Sequence, residues 1–81
     1  MDADTVTKLL QAHLPDCRIE VRGEGANYDI TVIGDVFEGE RPVKRQQRVY
    51  AALAESIAEG AIHAVNISTY TRAQWQARAA D

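Results

Sequence analysis

The stretch from Ala61 to Thr71, AIHAVNISTYT, decides how this chain folds. It alternates, with Val65 and Ile67 at odd positions, and alternation marks a strand with one buried face. Upstream lie a second alternating segment, residues 28–33, and a helical one, residues 42–59. A strand reached from another strand through a helix forms a β-α-β unit. Its crossover is right-handed, so the strand at 62–69 is expected parallel to the one at 28–33. His63 shares the parity of Val65 and Ile67, which puts a titratable ring at the entrance of an apolar face.

The rest of the chain falls into place around that unit. Val6, Leu9, Leu10, His13 and Leu14 follow helical spacing within residues 3–14, with Asp2 and Asp4 suited to the helix start and Pro15 ending it. Residues 17–22 alternate, with Ile19 and Val21 on one face. GEGAN then supplies a hairpin turn, and Tyr28, Ile30 and Val32 face inward on the return strand. Gly34, Asp35 and Gly39 mark a loop. Pro42 opens the second helix, whose apolar side is read as Val43, Val49, Tyr50, Leu53 and Ile57, with Gly60 as its C′ residue. Thr71 and Gln74 have the spacing of a capping box for a short last helix through Trp75. The order α-β-β-α-β-α predicts an α+β domain over residues 1–81. It has a three-stranded mixed sheet with helices packed on one face.

Composition sets limits. A chain of 81 residues makes one domain with a small core. Its net charge of −3, from 12 acidic and 9 basic residues, lacks the bulk positive charge of a non-specific nucleic-acid binder. Cys17 is the single cysteine, so an intrachain disulfide and a multi-cysteine zinc site are both excluded. The acidic start and the lack of a long apolar run predict a cytoplasmic protein without a membrane span.

Few residues carry chemistry. The parallel step places His63 near the hairpin loop, residues 24–27, and Cys17 at the opposite end of the sheet, about 20 Å away. A Cys/His pair is thereby separated, and an enzyme is not expected. His63 is either a partly buried histidine with a local hydrogen bond or a metal ligand. His13 reads as a residue at the rim of the core. GEGANY leads into a strand and lacks a third glycine, so it is a turn and not a dinucleotide fingerprint. Arg41, Lys44, Arg45 and Arg48 line one side of the second helix. They form either a solvated face or a docking face for phosphate, a carboxylate or an acidic protein.

Taken together, VRGEGANYDITVIGDVFEGERPVKRQQRVYAALAE (residues 21–55) and IHAVNISTYTRAQW (residues 62–75) resemble the BolA-like family, and within it the IbaG-like branch, also called YrbA-like. The resemblance implies a class II KH-like fold and a non-enzymatic role. Members of this family pair with monothiol glutaredoxins and share a [2Fe-2S] cluster to which the glutaredoxin side brings a cysteine and glutathione. The histidine matching His63 is the family's cluster ligand. A second ligand comes from the hairpin loop, usually within GEGSHF in this branch. Here Asn27 stands at that histidine's position, and an amide is a poor iron ligand beside imidazole or thiolate.

The leading expectation is a partner of monothiol glutaredoxin in cluster assembly, trafficking or iron sensing. The alternative is a DNA-binding regulator of stress and cell-shape genes that uses the basic helix at 41–48. A third is a protein-interaction module without a cluster. Alone, the chain is expected to be a monomer or weak homodimer. Gly39-Glu40-Arg41-Pro42 lacks the second glycine of a KH phosphate clamp, which argues against RNA bound in that manner.

Overall fold

Asp2 sets the first helix. Its backbone is extended and its carboxylate accepts the Thr5 N–H at 2.8 Å, the geometry of an N-cap. The computed structural model describes residues 1–80. Helix α1 spans Ala3–His13 and is followed by β1 (Arg18–Glu24) and β2 (Asn27–Ile33). A short 3-10 turn, Asp35–Phe37, precedes α2 (Pro42–Ala58), and β3 (Ala64–Tyr70) leads into α3 (Arg72–Ala80).

The strands form one sheet in the order β1-β2-β3. β1 and β2 are antiparallel and close through Gly25 and Ala26, since Glu24 pairs with Asn27. Gly25 has φ 68° and Ala26 does not enter that region, the pattern of a II′ hairpin turn. β2 and β3 are parallel, from Asn27↔Ala64 to Ile33↔Tyr70. The α+β topology is therefore the expected one.

The core lies between the sheet and the first two helices. Val6, Leu10 and Leu14 meet Tyr28, Ile30 and Val32 from one side, and Val49, Ala52 and Leu53 from another. Each large apolar side chain removed from water contributes about 1.5–3 kcal/mol. Phe37, fully buried, completes this cluster from the 3-10 turn. It was not expected there, because one aromatic between glycines carries no periodicity.

Other differences have simple causes. Val43 and Tyr50 are 64% and 44% exposed, not inward as expected. The buried residues of α2, Val49, Ala52 and Leu53, centre near the direction of Val49, and Tyr50 and Val43 fall about 100–120° around the helix from it. His13 is exposed rather than set into the rim of the core, because the α1 stripe ends as the chain leaves the helix. The Thr71–Gln74 box forms reciprocally, at 2.9 and 3.1 Å, yet α3 runs on to Ala80 rather than stopping near Trp75. α1 and α2 cover one face of the sheet. Trp75 and Arg78 of α3 instead line a recess with Glu20, Thr31, Ser68 and Tyr70 on the other face. There Trp75 meets Tyr70 edge-on at 5.2 Å, and Arg78 lies 4.6 Å over the indole.

Candidate functional site

His63 is placed by the way α2 ends. Gly60, at φ 80°, takes the left-handed position past the helix. Its N–H donates to Ile57 O at 3.1 Å and that of Ala61 to Ser56 O at 3.0 Å, a complete Schellman pair. Ile62 then turns inward and is 1% exposed. The backbone N–H groups of His63 and Ala64 both donate to Ala26 O, at 2.8 and 3.2 Å. These bonds fasten His63 to the hairpin loop and leave its ring exposed. A methyl group at Gly60 would stand 3.9 Å from Nε2, so the ring lies beside the glycine.

This differs from a ring at the mouth of an apolar face. β3 begins at Ala64, after a bend at Ala61, so the two-residue period does not extend back to position 63. Ile62 takes the inward place, and His63 faces solvent. No hydrogen bond or ion pair holds its ring among the described residues. The local hydrogen bond expected of a structural histidine is made by its backbone instead.

Asn27 is the nearest loop candidate. It pairs with Ala64, one residue beyond His63, and is exposed. The buried ring of Tyr28 steadies this loop, its hydroxyl donating to Gly25 O at 2.6 Å. Burial pushes the Tyr28 phenol up, and the charges of Asp2 and Glu24 add to this. Among the described residues no three His, Cys, Asp or Glu side chains cluster closely enough to hold a metal. At this end of the sheet His63 offers one exposed imidazole, and Asn27 offers an amide.

Cys17 sits at the other end of the sheet, next to Arg18, which pairs with Ile33, itself paired with Tyr70. Its thiol is pushed up by burial and by the neighbouring Asp16. A thiol held protonated is a poor nucleophile and a poor metal ligand.

The basic residues of α2 divide into two pairs. Arg48 makes a two-pronged contact with the Glu40 carboxylate at 2.7 and 2.8 Å. Arg45 donates to Glu40 O at 2.9 Å and to Gln74 Oε1 at 2.8 Å, and it lies over the Phe37 ring. The hydrogen bond from Arg48 holds the Glu40 carboxyl below its ordinary range, and the same bond raises Arg48. These two arginines secure the loop before α2, whose N-cap Arg41 provides no side-chain cap. Only Arg41 and Lys44 remain exposed without a side-chain partner among the described residues. The expected face of four free cations is thus reduced to two.

Three helices and a three-stranded mixed sheet, with an exposed imidazole beside the hairpin, make a small α+β domain. The family model for BolA-like proteins matches residues 6–74, and the chain belongs to the BolA-like family. The acid stress protein IbaG of Escherichia coli K12 is 37% identical over 75 residues, 93% of this chain and 89% of its own. A Vibrio cholerae protein, the DNA-binding transcriptional regulator BolA, is 42% identical over 55 residues, 68% of this chain and 51% of its own. Among solved structures, a bolA protein homologue from Coxiella burnetii matches with a TM-score of 0.81 at 26% identity. That match covers 94% of this chain and 97% of the homologue. No helix among the described residues is long and apolar enough to cross a membrane.

Proposed function

We propose that this protein is a non-enzymatic cytoplasmic partner of a monothiol glutaredoxin and acts in the assembly, trafficking or sensing of [2Fe-2S] clusters. The cluster is cargo held between the two proteins, and His63 is this chain's ligand to it. The observation that carries the reading is the placement of His63. Its backbone is fixed to Ala26 O at 2.8 Å while its imidazole stays exposed and unengaged. A ligand held in place before binding loses less freedom when the metal arrives. Membership of the BolA-like family supports the same reading.

The partner supplies the remaining ligands, a cysteine and glutathione. Asn27 stands where a second ligand from this chain belongs and offers only an amide. His63 thus carries this chain's share alone, and the shared cluster is short-lived. Visible absorption of the chain mixed with a monothiol glutaredoxin, glutathione and an iron–sulfur source tests this. His63→Ala abolishes the shared-cluster spectrum, and Asn27→His lengthens its lifetime. An unchanged spectrum and lifetime in His63→Ala would show that His63 is not a ligand.

The DNA-regulator reading draws support from the free Arg41 and Lys44 and from the Vibrio cholerae relative. Two free cations give a shallow salt dependence, because each neutralised phosphate contributes only about one unit of slope. Absence of DNA retardation at low salt would remove that reading.

A further inference from the structure

The two edges of the sheet are unlike. At the β3 edge, Gln46 of α2 donates its side-chain amide to Ile67 O at 2.8 Å and occupies that carbonyl. Among the described residues the β1 edge has no such cover. Its pairing with β2 runs without a bulge from Arg18 to Glu24 and contains no proline, so it lacks two common devices that blunt an edge strand.

The register shows which groups are free. Ala64 N–H donates to Ala26 O, and Gly34 N–H to Tyr70 O, so even-numbered residues along β2 aim their backbone groups at β3. Odd-numbered residues of β2 therefore bond β1, through their partners Arg18, Glu20, Arg22 and Glu24. Ile19, Val21 and Gly23 are left with N–H and C=O groups pointing out of the sheet. Among the described residues none of the three makes another backbone hydrogen bond. The side chains of Ile19 and Val21 are half-buried on the core side.

We infer that this edge pairs with β1 of a second copy, antiparallel about a two-fold axis through Val21. Charge selects the occupant and the register. Arg18, Glu20, Arg22 and Glu24 alternate in sign along one face of the strand. Antiparallel pairing must match the odd residues to one another, so the register moves only in steps that keep parity. Centred on Val21, Arg18 meets Glu24 of the second copy and Glu20 meets its Arg22, and symmetry repeats both pairs. Centred on Glu20, Arg18 meets an arginine and Glu20 meets itself. Centred on Arg22, Glu20 meets a glutamate and Arg22 meets itself. Centred on Ile19 or Gly23 the strands also oppose only unlike charges, but their overlap within Arg18–Glu24 shrinks to three residues, so the Val21 register alone pairs the whole strand with all four charges matched, and opposite charges across strands favour pairing where like charges oppose it. The product is a continuous six-stranded sheet. Its two strands at the axis are antiparallel, so the two His63 sites lie toward opposite ends and both stay accessible. The inference does not depend on the glutaredoxin reading.

Sedimentation of the full chain at low salt, from micromolar to millimolar, measures the association. Hydrogen exchange at the same concentrations locates it. A dimer is expected, with the amides of Ile19, Val21 and Gly23 gaining protection as concentration rises. Val21→Pro removes an N–H that faces solvent in the monomer, so it abolishes the dimer while circular dichroism keeps the monomer's spectrum. Glu20→Arg weakens association by about tenfold, since symmetry counts each lost pair twice. Glu20→Arg combined with Arg22→Glu restores it. A monomer at every concentration would overturn the proposal. So would a dimer that survives Val21→Pro, or one whose protected amides lie elsewhere. If Val21→Pro unfolds, the wild-type exchange pattern and the charge-exchange pair decide.

Discussion

At one end of the sheet the backbone of Gly34 lies against Cys17, so close that a methyl group there would run into Sγ and approach Cβ to 3.3 Å. At the other end a methyl group at Gly25 would meet nothing within 4 Å, and His63, bonded through its backbone to Ala26, stands exposed. The closed end also holds Phe37, and Arg45 and Arg48 of α2 secure the loop that follows it. The open end is held by two backbone bonds to Ala26 O and by the Tyr28 hydroxyl. In a chain this small the core has little to spare. The contrast is local: the hairpin strands are tight at Gly23, where a methyl group would run into Asn27 O, while the tip at Gly25 and the ring of His63 are open.

The largest effect is expected at Phe37. Its ring is fully buried, and Phe37→Ala leaves a cavity beneath the loop that enters α2. A loss of about 3–5 kcal/mol is expected in urea unfolding. A loss below about 1 kcal/mol would mean that the closed end does not anchor the fold.

Gly34→Ala comes next. Gly34 has φ −178°, which any residue adopts, so the cost is steric alone. Pushing Cys17 aside is expected to cost about 1–3 kcal/mol. Adding Cys17→Ala to the same chain should recover part of this, because Sγ is gone while Cβ remains at 3.3 Å. A double-mutant cycle measures the recovery. Strict additivity would place the strain elsewhere.

Much of the fold could be read from residues whose local chemistry agrees with their tertiary role. The hairpin, the Gly60 cap, the Thr71–Gln74 box and the parallel third strand are of this kind. Phe37 was not legible, because a core residue in a glycine-bounded loop has no periodicity. Val43 and Tyr50 were misplaced because apolar character was taken for an inward direction. The place of His63 by the hairpin and its exposure were legible from topology; that Ile62 takes the inward position before β3 was not, since parity was carried past the end of the strand. The pairing of Arg48 with Glu40 spans a loop and a helix, and a sequence does not show which of several glutamates will close such a pair.

The third effect is smaller and depends on pH. Arg48 holds the Glu40 carboxyl below its ordinary range in the folded chain. A depressed carboxyl contributes stability above its unfolded value and loses it as pH falls through the folded value. The wild-type protein should therefore lose more stability under acid than Glu40→Gln, which lacks the titration. Urea midpoints between about pH 6 and pH 3 give the two slopes. Equal slopes would mean that this pair is not formed in solution.

The smallest effect on the fold is expected at His63 itself. Its N–H bond to Ala26 O belongs to the backbone and survives His63→Ala. Its ring has no partner to lose among the described residues, and neighbouring Ile62 already fills the inward position. The stability change should stay within about 0.5 kcal/mol, the range of an ordinary surface substitution. The same variant should lose the cluster shared with a monothiol glutaredoxin. Urea unfolding and visible absorption on one preparation separate the two effects. A loss of absorption together with a loss above about 1 kcal/mol would show that His63 supports the hairpin. The contrast between a packed end and an open end would then fail at its central residue.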